Sequence, residues 1–462
     1  MISILRSKAT AARRRDRYAR SGLSRTKADA RSRTIRNGWR NAGSARRAGV
    51  AVLGAGNGGL ALAAYLSRTG HRVALWNRSA GPVDLVAARG GVGLTMPGSA
   101  AAIERIAIAT NDIATALAGA KVILVAVPAS AHTDIARTCA RHLRDGQTVL
   151  LLPGRTGGAL EFRRLLEEQR CPSDVLLGEA NSFPFAARTV GPAEAVIFGA
   201  KVKLLAAALP ARRTDELVAN CRAFLPMLAP AASVLHTGLS NLGAVLHPAI
   251  TLMNAGRIIR GEVFDFYTEG VTPQIARVLA AADEERHRIA EAYGVCAQPL
   301  TEWIACAYGH VAATMQGAVV GNPAYIGIKA PRTLCHRYLL EDAPMGLIPL
   351  IELGRAAGLA SPTLRSLVTL AEFVLGAEPW RQVRSLESLG LAGMTIGEIR
   401  SAVASGFLAG ATRAAMAHAG VSGRYGLDLG PGWDRHSCLP GTQKFLRGRQ
   451  ECLPHEAGGV FA

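Results

Sequence analysis

Apolar residues follow two different rhythms along this chain. Up to about residue 180 they come in short runs closed by glycine or proline turns: residues 50–53, 72–76, 121–127, 147–152 and 174–178. Runs of this length, rich in Val, Leu and Ile, predict strands buried on both faces. The stretches between them are helix formers. Residues 60–67 contain no proline and are followed by Gly70, and residues 112–117 fit a short helix. A weaker strand is expected at 91–95, before the turn Pro97-Gly98. Strand and helix in alternation predict a parallel sheet with helices on its faces.

After about Arg212 the spacing lengthens to that of helices. Thr272 is a candidate cap, Pro273 fits the first helical position, and Ile275, Val278, Leu279 and Ala282 form an apolar stripe that Gly294 can end. Ser361-Pro362 to Gly376 repeats the design. The expected organisation is an α/β Rossmann domain with a doubly wound, mostly parallel sheet over 49–212, then an all-α domain over 213–415. Residues 416–462 carry neither pattern and are expected to be an irregular tail.

Charge alters the picture at one end only. The chain has 462 residues and a net charge of +19, and residues 1–48 supply +13 of it through fifteen Lys and Arg against Asp16 and Asp29. That segment has no sustained periodicity, so it reads as a basic disordered extension. The body is only mildly basic, which argues against nucleic acid as a partner. No apolar run approaches the roughly 18 residues of a membrane span. Eight scattered cysteines without a CxxC pair fit free thiols in a reducing cytoplasm, and the histidines lack ligand spacing, so no metal is expected.

The turn after the first run reads Gly54-Ala-Gly56-Asn57-Gly58-Gly59. Between a strand and a helix, this spacing has a physical use: Gly54 for the tight turn, Gly56 for close approach to a pyrophosphate, and Gly59 for helix–strand packing. The free N–H groups of the helix start then face the phosphates. NAD-preferring sites usually place an acid about 20 residues on, but here Asn77-Arg78-Ser79 stands in that place. An Arg beside a hydroxyl suits the 2′-phosphate of NADP(H), which is favoured, with NAD(H) as the alternative. A plain solvated Arg is the simpler reading of Arg78. In an open parallel sheet ligands sit beyond the carboxyl ends of the strands. The loops after residues 53, 127, 152 and 178 should therefore ring one crevice, with His132, Arg155, Ser182 and Arg188 on or near it.

The helical half carries Ser240-Asn241 through His247-Pro248 to Arg257, and later Cys335-His336-Arg337-Tyr338 through Glu341-Asp342 to Pro344. A histidine before proline is expected at or just before a helix start and can be purely structural. The Arg and two acids could form a salt-bridged helix end. Taken together with the glycine turn, Val127-Pro128-Ala129 with His132, residues 179–188 and Phe266-Tyr267-Thr268-Glu269-Gly270, these segments resemble the opine dehydrogenase family of octopine/nopaline type over roughly residues 50–410.

The resemblance implies a two-domain architecture like that of 6-phosphogluconate dehydrogenase, with substrate between the domains. It implies a reductive joining of an amino acid to a 2-oxo acid, often pyruvate, with NADH or NADPH. It matches His247 to the catalytic His, Asp342 to its paired acid, Arg337 to the substrate-carboxylate Arg and Ser182 to a small hydroxyl residue at the substrate. Arg188 joins the substrate set, and Gly54, Gly56, Asn57, Gly59, Asn77, Arg78, Ser79, Val127 and Pro128 the cofactor set. Members often carry Cys before the Arg at 188, where this chain has Ala187. The family reading leaves monomer and homodimer open. The rival readings are a Rossmann-plus-helical dehydrogenase of hydroxy acids or sugar phosphates, which a catalytic Lys would favour, and a cofactor-sensing or nucleic-acid-binding protein. Between residues 213 and 415 the one lysine is Lys329.

Overall fold

The computed structural model describes residues 49–376, 380 and 382–406. The expected basic extension and irregular tail lie outside the described residues. Eight strands make the main sheet, in the order β12(Leu228–Pro230), β11(Leu204–Leu209), β8(Leu176–Ala180), β7(Thr148–Leu151), β6(Val122–Val125), β1(Gly49–Leu53), β2(Arg72–Trp76), β5(Ile108–Thr110). All neighbours pair parallel except β8 and β11, which run antiparallel. The strand order reverses between β1 and β6, so the crevice lies beyond their carboxyl ends.

Successive residues of a strand point to opposite faces, and the core divides accordingly. Ala51, Leu53, Ile123, Val125, Val149 and Leu151 join one apolar cluster. Val50, Val52, Val122, Leu124 and Leu150 join the other. The first cluster continues without a break into the helical half through Leu239, Val245, Leu246 and Leu389. The second contains a further sheet, of which the apolar pattern revealed only the weak run at 91–95, ordered β4(Ser99–Glu104), β3(Val92–Met96), β10(Glu194–Ala200), β9(Phe185–Gly191). The helix Asn57–Arg68 lies between the two sheets, and every residue from Gly59 to Leu66 is buried. A helix covered on both sides has no polar stripe, which is why its sequence is Leu-Ala-Leu-Ala-Ala.

The expected division at 212/213 falls inside the sheet unit. The helix Thr214–Arg222 packs on β11 and β12, and β12 completes the sheet. The helical half therefore begins at about Val234. Its last described helix, Ile396–Ser405, returns to β11 and the turn Ala211–Arg213.

The long helix Pro273–Ala292 is capped as expected, with the Thr272 hydroxyl accepting from Ile275 N–H at 3.3 Å. The helix Pro362–Leu375 is capped differently. Ser361 caps nothing; the Glu285 carboxylate accepts from Thr363 and Leu364 N–H at 2.8 and 2.9 Å. His247-Pro248 is also not at a helix start. The helix runs from Leu242 to Met253 with Pro248 inside it. An internal proline costs about 3 kcal/mol, and burial of Leu242, Val245, Leu246, Ile250 and Leu252 at roughly 1.5–3 kcal/mol each outweighs it.

Candidate active site

The glycine turn has the geometry its spacing requires. Gly54 sits at φ +113° and donates to Trp76 C=O at 2.8 Å. A Cβ on Gly59 would lie 1.7 Å from the Gly54 carbonyl oxygen, so only glycine lets the helix come this close. A Cβ on Gly56 would meet nothing within 4 Å, which leaves that face of the turn open. Ala55 N–H donates to the Asn77 side chain at 3.1 Å, so Asn77 braces the turn from the end of β2. Asn77 in turn donates to Ser79 C=O. Asn57 accepts from Thr189 N–H at 2.7 Å and ties the helix start to β9. Val127 lies against Gly54, and the exposed Pro128 follows it. Arg78 is exposed and pairs with Asp134 at 3.0 Å. An open glycine, a crowded one and a free helix N-terminus fit a dinucleotide pyrophosphate, and Arg78 and Ser79 are exposed just after the end of β2.

The second group assembles around His247. Its Nδ1 is 2.6 Å from Asp342 Oδ2, and its Nε2 is 3.0 Å from the Tyr267 hydroxyl. Tyr338 stacks on the imidazole at 4.2 Å between centroids and 19° between planes. Asp342 is fully buried, and its Oδ1 meets Arg155 Nη1 at 2.9 Å. Arg155 Nε reaches Glu341 Oε1 at 3.0 Å, and the same oxygen accepts from Ala129 N–H at 3.1 Å. Glu341 thus links the helical half to the loop after β6. Arg337 lies 3.5 Å from Glu341 Oε2 with about half of its side chain (52%) exposed.

Burial pushes the Asp342 carboxyl up, but Arg155 and then the bond from His247 prevail and hold it at about 2. Burial lowers the pKa of His247 below its ordinary value; Asp342 opposes this, and Arg155 and Arg337 add to it. His247 is therefore neutral at neutral pH, with Asp342 beside Nδ1. Burial pushes the Tyr267 phenol well up, so it stays protonated and donates to Nε2.

Arg155 was legible only as a residue near the crevice. It holds a left-handed backbone at φ +61°, which is unusual for a non-glycine residue. The buried Arg384 fixes its loop by donating to the carbonyls of Gly154 and Thr156 at 3.1 Å each and pairing with Glu161 at 2.7 Å. Gly243, one helical turn before His247, makes room for it: a Cβ there would be 2.7 Å from Arg155 Nη1. A glycine four residues before the histidine was the available signal, since i and i+4 share a face. His132 faces no crevice; it is fully buried, 3.4 Å from Arg384. Ser182 is half-buried just after β8, and Arg188 is exposed on β9. Arg188 lies near enough to the helical half that its charge helps lower the pKa of His336 to about 4, after burial, Arg337 and His247. Lys329 is exposed and paired with Asp265 at 2.7 Å, apart from the His247 group.

Residues 230–375 match a family model described as NAD/NADP octopine/nopaline dehydrogenase, alpha-helical domain. Residues 49–154 match one described as NAD-dependent glycerol-3-phosphate dehydrogenase N-terminus. An opine dehydrogenase of Arthrobacter sp. (strain 1C) is 40% identical over 353 residues, covering 76% of this chain and 98% of that protein. The chain belongs to the opine dehydrogenase family. Protein ocs of Agrobacterium vitis is 30% identical across 74% of this chain and 96% of its own length. An octopine dehydrogenase solved in complex with NADH and agmatine shares the fold, with a TM-score of 0.63 and 22% identity, covering 77% of this chain and 98% of that one. A yersinopine dehydrogenase solved with NADP+ does so with a TM-score of 0.57 and 17% identity, covering 79% and 99%. The protein is thus an NAD(P)-dependent oxidoreductase with the opine dehydrogenase architecture of a Rossmann-type domain followed by a helical one.

Proposed function

We propose that this opine dehydrogenase joins the amino group of an amino acid to a 2-oxo acid such as pyruvate, reversibly and through an imine, with His247 moving the protons. The observation that carries the reading is the buried contact between His247 and Asp342 at 2.6 Å, with Arg155 behind the carboxylate. With Asp342 accepting from Nδ1–H, the basic lone pair of Nε2 faces the Tyr267 hydroxyl, and a substrate group that takes the place of that hydroxyl can give its proton to the ring. His247 takes a proton as the amine nitrogen bonds to the carbonyl carbon. It returns that proton to the carbinolamine oxygen; a second proton, drawn from solvent through His247, goes to the resulting hydroxyl, the C–O bond breaks, and water leaves a protonated imine. Asp342 stabilises the imidazolium formed between these steps and fixes its orientation. Arg337 holds the 2-oxo acid carboxylate by a two-pronged bond, and Ser182 and Arg188 complete the substrate contacts. The nicotinamide supplies the hydride that reduces the imine.

Gly54, Gly56, Asn57, Gly59, Asn77, Val127 and Pro128 would hold that cofactor. NADP(H) is favoured because Arg78 and Ser79 offer a cation and a hydroxyl where an NAD site has an acid. Among the described residues no helix is long and apolar enough to cross a membrane, and we place the enzyme in the cytoplasm. The decisive experiment follows NADPH and NADH oxidation with pyruvate across a panel of amino acids, with the product identified by mass. Oxidation of either cofactor with formation of a secondary amine is expected; no turnover with any amine overturns the proposal.

A further inference from the structure

The segments on either side of the glycine turn meet in one ion pair that the proposed reaction does not use. Arg78 Nη1 lies 3.0 Å from Asp134 Oδ2, and both side chains are exposed. Arg78 comes two residues after β2, and Asp134 stands in the first turn of the helix His132–Cys139, which follows β6. β6, β1 and β2 are consecutive and parallel in the sheet. Neighbouring strands lie about 4.8 Å apart, so β2 and β6 stand about 10 Å apart with β1 between them. The ion pair therefore crosses the carboxyl end of β1, where the glycine turn begins.

That crossing lies on the path of a dinucleotide. A pyrophosphate on the turn leaves the adenosine ribose toward the end of the second strand. Here Asn77 ties that end to the turn by accepting from Ala55 N–H at 3.1 Å, and Arg78 is the next residue. A 2′-phosphate that reaches Arg78 meets a guanidinium already held by a carboxylate. The helix Ala80–Arg89 that follows has no acid in its first turn, and the Ser79 side chain caps nothing there. The negative charge that faces Arg78 thus comes from the other wall of the crevice.

The two cofactors differ in charge at this point. NADPH brings a 2′-phosphate, and NADH brings a neutral hydroxyl. The guanidinium has five N–H donors in one plane, enough for a phosphate and a carboxylate together. Sharing it, however, places two anions within a few ångströms of each other, and releasing Asp134 gives up the ion pair. Either way NADPH meets a cost that NADH does not. An exposed pair contributes little to the stability of a fold, so the charge of Asp134 bears on the ligand more than on the protein.

We propose that Asp134 is a specificity-determining residue: its carboxylate competes with the 2′-phosphate for Arg78 and narrows the enzyme's preference for NADP(H) over NAD(H). This rests on the reading of Arg78 and Ser79 as partners of the 2′-phosphate given above. The effect falls on cofactor binding, before His247 and its chemistry are engaged.

The test uses the full chain and fluorescence titration with NADPH and with NADH, without substrate. Asp134→Asn is expected to tighten NADPH binding about three- to tenfold, the range of one exposed ion pair together with one relieved repulsion. The Kd for NADH should stay within about twofold. Asp134→Ser provides a second variant with the same expected sign, and thermal unfolding checks that each variant is folded. In an Arg78→Ala background the gain from Asp134→Asn should shrink to within about twofold, because nothing then draws the phosphate to residue 134. No change in NADPH affinity, or an equal change for both cofactors, would overturn the assignment. Weaker NADPH binding would show the pair to be a clasp that retains the cofactor and would overturn it too, as would a gain that persists without Arg78. If Arg78→Ala by itself leaves NADPH affinity unchanged, the reading of Arg78 fails first and the proposal with it, a result distinct from any behaviour of the Asp134 variants.

Discussion

Asp342→Asn probes the buried charge on which the proposed chemistry depends. The carboxylate is held at about 2 although burial alone would raise it above the ordinary aspartate range. A tenfold change in an ionisation constant corresponds to about 1.4 kcal/mol, so the surroundings favour the ionised form by about 2 kcal/mol net of desolvation. Most of that comes from Arg155 at 2.9 Å and His247 at 2.6 Å. Asn keeps the shape but removes the charge, and its NH2 group can donate to Nδ1. The imidazole then carries its proton on Nε2, the wrong side for accepting one from substrate. By analogy with other His–carboxylate centres, turnover should fall by about 10²–10⁴-fold. Arg155 retains Glu341 at 3.0 Å, so the fold should survive. Asp342 raises the pKa of His247 and Arg155 lowers it. The acid limb of the pH profile, expected below the ordinary histidine value in the parent, should therefore move lower still in the variant. The assay is steady-state cofactor oxidation over pH, with cofactor affinity measured separately by titration. Turnover within about threefold of the parent in a folded variant, or an acid limb displaced upward, would refute the reasoning.

Four further outcomes are expected. His247→Ala should lower turnover by about 10²–10⁴-fold with cofactor affinity intact, checked by fluorescence titration of NADPH. Arg337→Leu should raise the KM for the 2-oxo acid far more than that for the amino acid, measured by varying each substrate in turn. Arg78→Ala should weaken NADPH but leave NADH nearly unchanged; equal effects on both would return Arg78 to a plain surface role. Gly243→Ala puts a methyl 2.7 Å from Arg155 Nη1 and should cost about 1–3 kcal/mol in chemical denaturation together with a loss of turnover.

Much of the fold was legible because it is written in local periods. The runs at 50–53, 72–76, 121–127, 147–152 and 174–178 became β1, β2, β6, β7 and β8, and the caps of the helix at 273–292 were read directly. Of the second sheet only β3 was legible, as the weak run at 91–95. β9 mixes buried and exposed positions irregularly, and β10 pairs parallel with β3, about a hundred residues earlier. The boundary at 212 was misplaced because a helix that covers a sheet and a helix of an all-α domain share one period. The proline in the His247 helix misled for a similar reason: propensity is local, whereas the burial that overrides it is supplied by neighbours in space.

Local sequence determined where this protein makes its turns, which segments are strands, and which residue types stand ready for chemistry. Gly54, Gly56 and Gly59 were identifiable because a tight turn and a close helix leave no alternative within ten residues of chain. The pairing of His247 with Asp342, 95 residues apart, was implied by the family resemblance and by no local rule, and only the tertiary structure decided its geometry and that Arg155 rather than a neighbour in sequence keeps Asp342 ionised. Short-range rules describe a backbone and its immediate contacts. A pKa depends on burial and on every charge within a few ångströms, wherever in the chain that charge originates, and folding alone sets those distances.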